Sequence, residues 1–110
     1  GIGMAEGLVV QMPANFFKAL AYPVRVKILH CLEPGERCVC ELIEEIDTEQ
    51  SNLSQHLGVM KKQGLIGSRK EGQKVFYRIL YPSVLDALRA AEKTLSEQIG
   101  HSQSLLKYLK

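Results

Sequence analysis

Cys38 and Cys40 stand one residue apart in the stretch ERCVCELIEE, and Cys31 lies upstream of them, before the Pro34-Gly35 turn. Thiolates are soft ligands. They select As(III) or Sb(III) with three sulfurs, or cadmium, lead or zinc with three or four. Two cysteines complete neither set. Within a regular helix, residues two apart point roughly 200° away from each other, whereas in an extended segment they share a side. The pair can therefore chelate only if a helix begins at or after Cys38, or if its first turn unwinds. Gly35 and the charged Glu36-Arg37 favour such a start. A helix N-terminus and neighbouring Arg37 both favour ionised thiols, while repulsion between two adjacent thiolates opposes them. A bound cation or arsenical would remove that conflict.

The bland alternative makes the pair two small hydrophobes. For Cys31 two readings stand side by side: a small core residue beside Leu32, or the third sulfur of a pyramidal As(III) site. Oxidation is a further chemistry. A bond between residues two apart closes a very small ring, so a disulfide is expected to join Cys31 to Cys38 or Cys40. An odd cysteine count, two of them nearly adjacent, suits metal or redox chemistry in a reducing compartment better than a secreted disulfide framework.

A second constellation lies downstream. If QSNLSQHLGVMKK is helical, Leu53, Leu57 and Met60 face a core, and Ser51, Gln55, Gly58 and Lys62 face solvent with Asn52 and Ser54 on the flanks. Uncharged amides and hydroxyls are the groups that hydrogen-bond base edges, and Gln or Asn can address adenine with two bonds. His56 falls near the core boundary, able either to touch a phosphate or to serve as a hydrogen-bonded packing residue. Arg69, Lys70, Lys74 and Arg78 follow, suited to phosphates or a minor groove. Alone they would read as a solvated basic hairpin; beside that polar helix they read as part of a DNA-binding face.

These groups need elements to hold them. The chain has 110 residues, 45% hydrophobic and 24% charged, with net charge +2: one globular domain. Its charge is segregated, basic from Lys61 to Arg78 and acidic from Glu33 to Glu49, as expected of a face that meets a polyanion. No run is apolar enough to span a bilayer and no leader pattern opens the chain, so a cytoplasmic protein is expected. Gly1-Ile2-Gly3 reads as a cloning remnant. A first helix is predicted over Pro13–Ala21, after an N-terminal arm of residues 1–12. A second follows from Pro23 to about Leu32, and a third spans about Val39–Ile46. A fourth is capped by Asp47-Thr48 and ends at Gly64. The period then changes to a hairpin turning at Lys70–Gln73. Pro82 starts a last helix with Val84, Leu85, Leu88, Leu95 and Ile99 in a stripe. Gly100 is expected to break it, leaving a tail over 101–110 that carries Leu105, Leu106 and Leu109. The domain proper is then 13–100. The class is mainly α with a small β-hairpin, laid out as a winged helix-turn-helix. An enzyme would need a substrate cleft, a base and a resolving cysteine, and the chain shows no such set.

From about Phe16 to Leu80 the sequence resembles the ArsR/SmtB family of winged-helix, metal-responsive repressors, most specifically through CVCEL, QSNLSQHL, QGLI and RKEGQKVFYRI, in order and spacing. The resemblance implies a homodimer through the first and last helices, with Phe16, Leu85, Leu88, Leu95 and Ile99 at the interface. It also implies a double-stranded, pseudo-palindromic operator, and repression relieved by an inducer bound at Cys38 and Cys40. Similar arsenic sensors often carry another cysteine three residues beyond the pair, where this chain has Ile43. Cadmium and lead sensors draw cysteines from the N-terminal arm, which here has none. Zinc sensors use Asp and His on the last helix. Asp86 is present, Leu88 stands where the His would be, and His101 is the nearest alternative. As(III) or Sb(III) is therefore the expected inducer, with cadmium, lead, zinc or thiol oxidation as alternatives, and a DNA binder without metal response as the remaining one.

Overall fold

The computed structural model describes residues 3–108, apart from the Met4 side chain. Five helices and three strands follow in the order α1 (Met4–Leu20), α2 (Pro23–Leu32), β1 (Arg37–Cys38), α3 (Val39–Glu45), α4 (Gln50–Lys62), β2 (Ile66–Glu71), β3 (Lys74–Ile79) and α5 (Ser83–Tyr108). Helix α2 starts where expected. Pro23 holds Tyr22 extended (φ −134°, ψ 131°) and occupies the first helical turn, where its missing N–H costs nothing.

Helix α4 ends in a paired turn. The Gly64 N–H donates to the Lys61 carbonyl and the Leu65 N–H to the Met60 carbonyl, with Gly64 at φ 75°, a conformation that costs glycine little. The chain then enters β2. Gly72 (φ 61°) opens the two-residue turn into β3, and Arg69 pairs with Phe76, Ser68 with Tyr77 and Gly67 with Arg78 across the hairpin.

The core lies among α2, α3, α4 and the hairpin. Ile28, Leu29, Leu42, Ile46, Leu53, Leu57, Met60 and Ile66 are all fully buried. The three core positions expected on α4 are thus in place.

Several boundaries differ from the sequence reading. Helix α1 begins at Met4 rather than Pro13, so the residues taken as an arm are helical from there on. Pro13 sits inside the helix, where a proline removes one backbone hydrogen bond and costs about 3 kcal/mol, so α1 runs through the residue expected to start it. Of the supposed remnant, Gly3 precedes α1, while Gly1 and Ile2 lie outside the described residues. Helix α5 passes through Gly100 without a break, and the expected tail is helical to Tyr108. One glycine costs about 1 kcal/mol in a helix, too little to stop one this long. Leu109 lies outside the described residues. Helix α4 is preceded by Glu49, not capped by Asp47-Thr48; the Thr48 hydroxyl instead accepts a bond from the Asn52 amide at 2.8 Å. Strand β1 was not foreseen. It pairs antiparallel with β3, Arg37 opposite Tyr77 and Cys38 opposite Phe76, making a sheet ordered β1-β3-β2.

Candidate thiol site and DNA-reading face

Cys38 ends β1 and is also the residue before the first turn of α3. Its backbone is extended (φ −69°, ψ 147°), so the helix begins just after it, the condition the pair requires. The Cys38 Sγ accepts a bond from the Cys40 N–H at 3.2 Å, and the Glu41 carboxylate accepts one from the Cys38 N–H at 3.2 Å. This capping box folds the Cys38 side chain over the first helical turn. The two Cα atoms are 5.2 Å apart and the sulfurs are joined in a disulfide. The bond expected from Cys31 is therefore replaced by one within the pair, because extended backbone at Cys38 puts both sulfurs on one side.

Cys31 stands apart as a free, half-buried thiol. Its pKa is pushed up to about 11, chiefly by burial and then by a hydrogen bond to, and the charge of, Glu45; Arg37 opposes this weakly. Arg37 itself is held by Glu41 and Glu45 at 3.2 and 2.8 Å. The surroundings of Cys31 therefore favour its neutral thiol, and a ligand bound there would have to displace the proton. Among the described residues no three His, Cys, Asp or Glu side chains converge as a metal-binding group.

The pair opens on a groove of about 450 Å³, whose other walls include Gln50 and Ser54 of α4 and Gln73, Lys74 and Val75 of the hairpin. The cysteines thus adjoin both parts of the candidate DNA-reading face. On α4, Ser51, Ser54, Gln55 and Lys62 are exposed. Asn52 is half-buried and engaged with Thr48. His56 is half-buried too. Its Nδ1 accepts a bond from the Arg25 Nε at 3.0 Å, and its ring lies 5.5 Å from that of Tyr22. Burial first, then the Arg25 charge, lowers its pKa, so it is a neutral packing residue.

On the hairpin, Lys70, Lys74 and Arg78 are exposed. The Arg78 guanidinium lies across Gly67, where an added Cβ would meet its Cζ at 3.2 Å. Arg69 is committed elsewhere. It grips Glu36 with two nitrogens at 2.6–3.0 Å, bonds Glu71 at 2.8 Å and lies 4.6 Å over the Phe76 ring. Glu36 is correspondingly held below the usual carboxylate range, first through its hydrogen bond from Arg69. An arginine with two carboxylates is a poor phosphate ligand, so the sequence reading of Arg69 needs that revision.

The missed residue is Arg25, 7% exposed on α2. The sequence signal was an arginine amid Val24, Ile28 and Leu29 on a buried face. At the proposed interface, Leu88 is spent on the chain's own core, and Phe16 and Leu85 lie against it. Phe17, Leu95 and Ile99 are 62%, 56% and 59% exposed.

The family model described as bacterial regulatory protein, arsR family, matches residues 22–68. The chain is 36% identical over 101 residues to the uncharacterized HTH-type transcriptional regulator Rv0081 of Mycobacterium tuberculosis H37Rv, covering 91% of this chain and 89% of the relative. The crystal structure of Rv0081 aligns with a TM-score of 0.76 at 37% identity, over 84% of this chain and 94% of that one. The arsenical resistance operon repressor of Escherichia coli K12 is 41% identical over 69 residues, 62% of this chain and 59% of that protein. A solution structure of Mb0332 from Mycobacterium bovis, described as a homodimeric winged helix-turn-helix DNA-binding domain, aligns with a TM-score of 0.77 at 28% identity, over 92% and 94% of the two chains.

Proposed function

The chain belongs to the arsR family of bacterial transcriptional regulators, and on that premise we propose that it is a cytoplasmic repressor that holds operator DNA as a homodimer and releases it when As(III) or Sb(III) binds Cys38 and Cys40. As a member of that family it is a DNA-binding winged helix-turn-helix regulator, not an enzyme. The observation that carries the inducer is the placement of both sulfurs on one side at the start of α3, in a groove shared with α4 and the hairpin.

In this reading Ser51, Ser54 and Gln55 read base edges, with Asn52 positioned by Thr48. Lys62, Lys70, Lys74 and Arg78 contact phosphates. A metalloid bound by the reduced pair withdraws the Cys38 sulfur from the Cys40 N–H and loosens the first turn of α3. Because Cys38 also pairs with Phe76, the strain reaches β3 as well as the α3–α4 unit. The inducer must prefer the form that binds DNA poorly, and operator must weaken inducer binding by the same factor. The third As(III) ligand is then an external thiol, or Cys31 after a rearrangement.

X-ray absorption of the arsenite-loaded, reduced protein tests the ligand set. Three As–S bonds that persist in Cys31→Ser support the external thiol, and a drop to two brings Cys31 into the site. No As–S bonds in the reduced native protein would end the assignment. The Cys38–Cys40 disulfide favours a second reading, in which oxidation of the pair is itself the signal. Operator affinity that falls on mild oxidation and recovers with dithiothreitol, in native protein but not in Cys40→Ser, would support it over the metalloid.

A further inference from the structure

Arg25 is more than nine-tenths buried and has no carboxylate partner among the described residues. Its Nε donates to His56 Nδ1 and its Nη1 to the Ala19 carbonyl at 3.1 Å, and its guanidinium lies 4.0 Å over the Tyr22 ring. Among the described residues Nη2 has no acceptor, and it is not sealed from solvent. Buried cations are usually matched by an anion; this one faces a groove of about 390 Å³ instead. That groove is also lined by Lys18 and Asn15 of α1 and by Val59 and Gln63 of α4. The Asn15 Oδ1 is occupied by Gln11, which leaves its NH₂ to donate. Among the described residues no acidic side chain lines the groove.

Position along α4 decides what anion fits. At about 100° per residue, Gln50 and Ser54 lie on one flank of α4 and Val59 and Gln63 on the other, with Ser51, Gln55 and Lys62 between them. The thiol groove and the hairpin occupy the first flank, and the Arg25 groove occupies the second. A helix about 10–12 Å across fills a major groove of about 12 Å, so phosphates run along both its sides. The hairpin cations can serve only one of them.

We infer that the groove formed by Arg25, Lys18, Asn15 and Gln63 is a phosphate-binding site that clamps the operator backbone on the side of α4 opposite the hairpin. Arg25 is held in place by His56, and Lys18 on the rim adds a second charge. This rests on the DNA-binding reading of α4 above.

The test is the salt dependence of operator binding by Lys18→Gln and Arg25→Lys. Each phosphate contact contributes about 0.9 to the slope of log K against log salt. Lys18→Gln should weaken specific and non-specific DNA about equally, several-fold at low salt, and flatten the slope by up to that amount. Operator carrying methylphosphonate at the flanking phosphates should erase the difference between Lys18→Gln and the native protein. Arg25→Lys should act in the same direction; if it fails to fold, Lys18→Gln decides alone. A native-like melt with an unchanged slope in Lys18→Gln overturns the inference. So does an unchanged slope accompanied by weaker dimerisation, which would give the groove to the subunit interface. Inorganic phosphate that binds the native protein and not Lys18→Gln, without displacing DNA, would give it to a small anion. Lys74→Gln is the control. A flatter slope there with none in Lys18→Gln sinks this site alone, whereas no DNA binding by the native protein sinks the α4 reading itself.

Discussion

At the scale of single residues, the three cysteines divide by backbone and burial rather than by spacing. Cys38 and Cys40 meet because one is extended and the other is in the first turn of α3. That much was legible in the sequence, since a shared ligand required this start. The partition of Cys31 was not, because it depends first on burial and then on Glu45, which only folding brings near. Its raised pKa has a measurable consequence. Folding favours the neutral thiol, so the contribution is fully present below the unfolded value near 9.0 and is lost as pH rises toward about 11. Chemical denaturation between pH 8 and 11 should show an alkaline fall in stability that is smaller in Cys31→Ala. Identical pH profiles would contradict the assignment. Arg25 and Arg69 show the converse limit: sequence reads charge, and only the fold shows that one is buried without a carboxylate while the other is held by two.

At the scale of elements, periodicity placed the core face of α4 correctly, and turn glycines located the hairpin, because these signals are local. Strand β1 was missed because two residues carry no period, and its partner, β3, lies far along the chain. The limits of α1 and α5 were misread because Pro13 and Gly100 were taken as helix ends, whereas both lie inside longer helices. Strand β1 and the Glu36–Arg69 clasp tie the thiol segment to the hairpin from two sides. Glu36→Gln should loosen that clasp and free Arg69 for phosphate. Fluorescence anisotropy across a salt series should then show non-specific DNA bound a few-fold more tightly, with a steeper slope. Unchanged binding would mean that Glu71 alone keeps Arg69 from DNA.

At the scale of the whole molecule, α1 and α5 project apolar side chains that the chain's own core does not cover, among them Val9, Phe17, Leu95 and Ile99. Such surfaces mark an interface, and a two-fold dimer would present two α4 helices to a pseudo-palindrome. Leu95→Glu with Ile99→Glu should give a folded monomer by sedimentation equilibrium, with operator affinity reduced by at least tenfold. A dimer unchanged by both substitutions would move the interface elsewhere. On the proposed function, the state of two sulfurs at the start of α3 sets the affinity of α4 and the hairpin for DNA. It is tested most directly by titrating operator into fully reduced protein with and without arsenite, beside Cys38→Ser. Arsenite should weaken operator binding of the native protein at least tenfold and leave Cys38→Ser unaffected. Equal operator affinity with and without arsenite in the reduced native protein would contradict it.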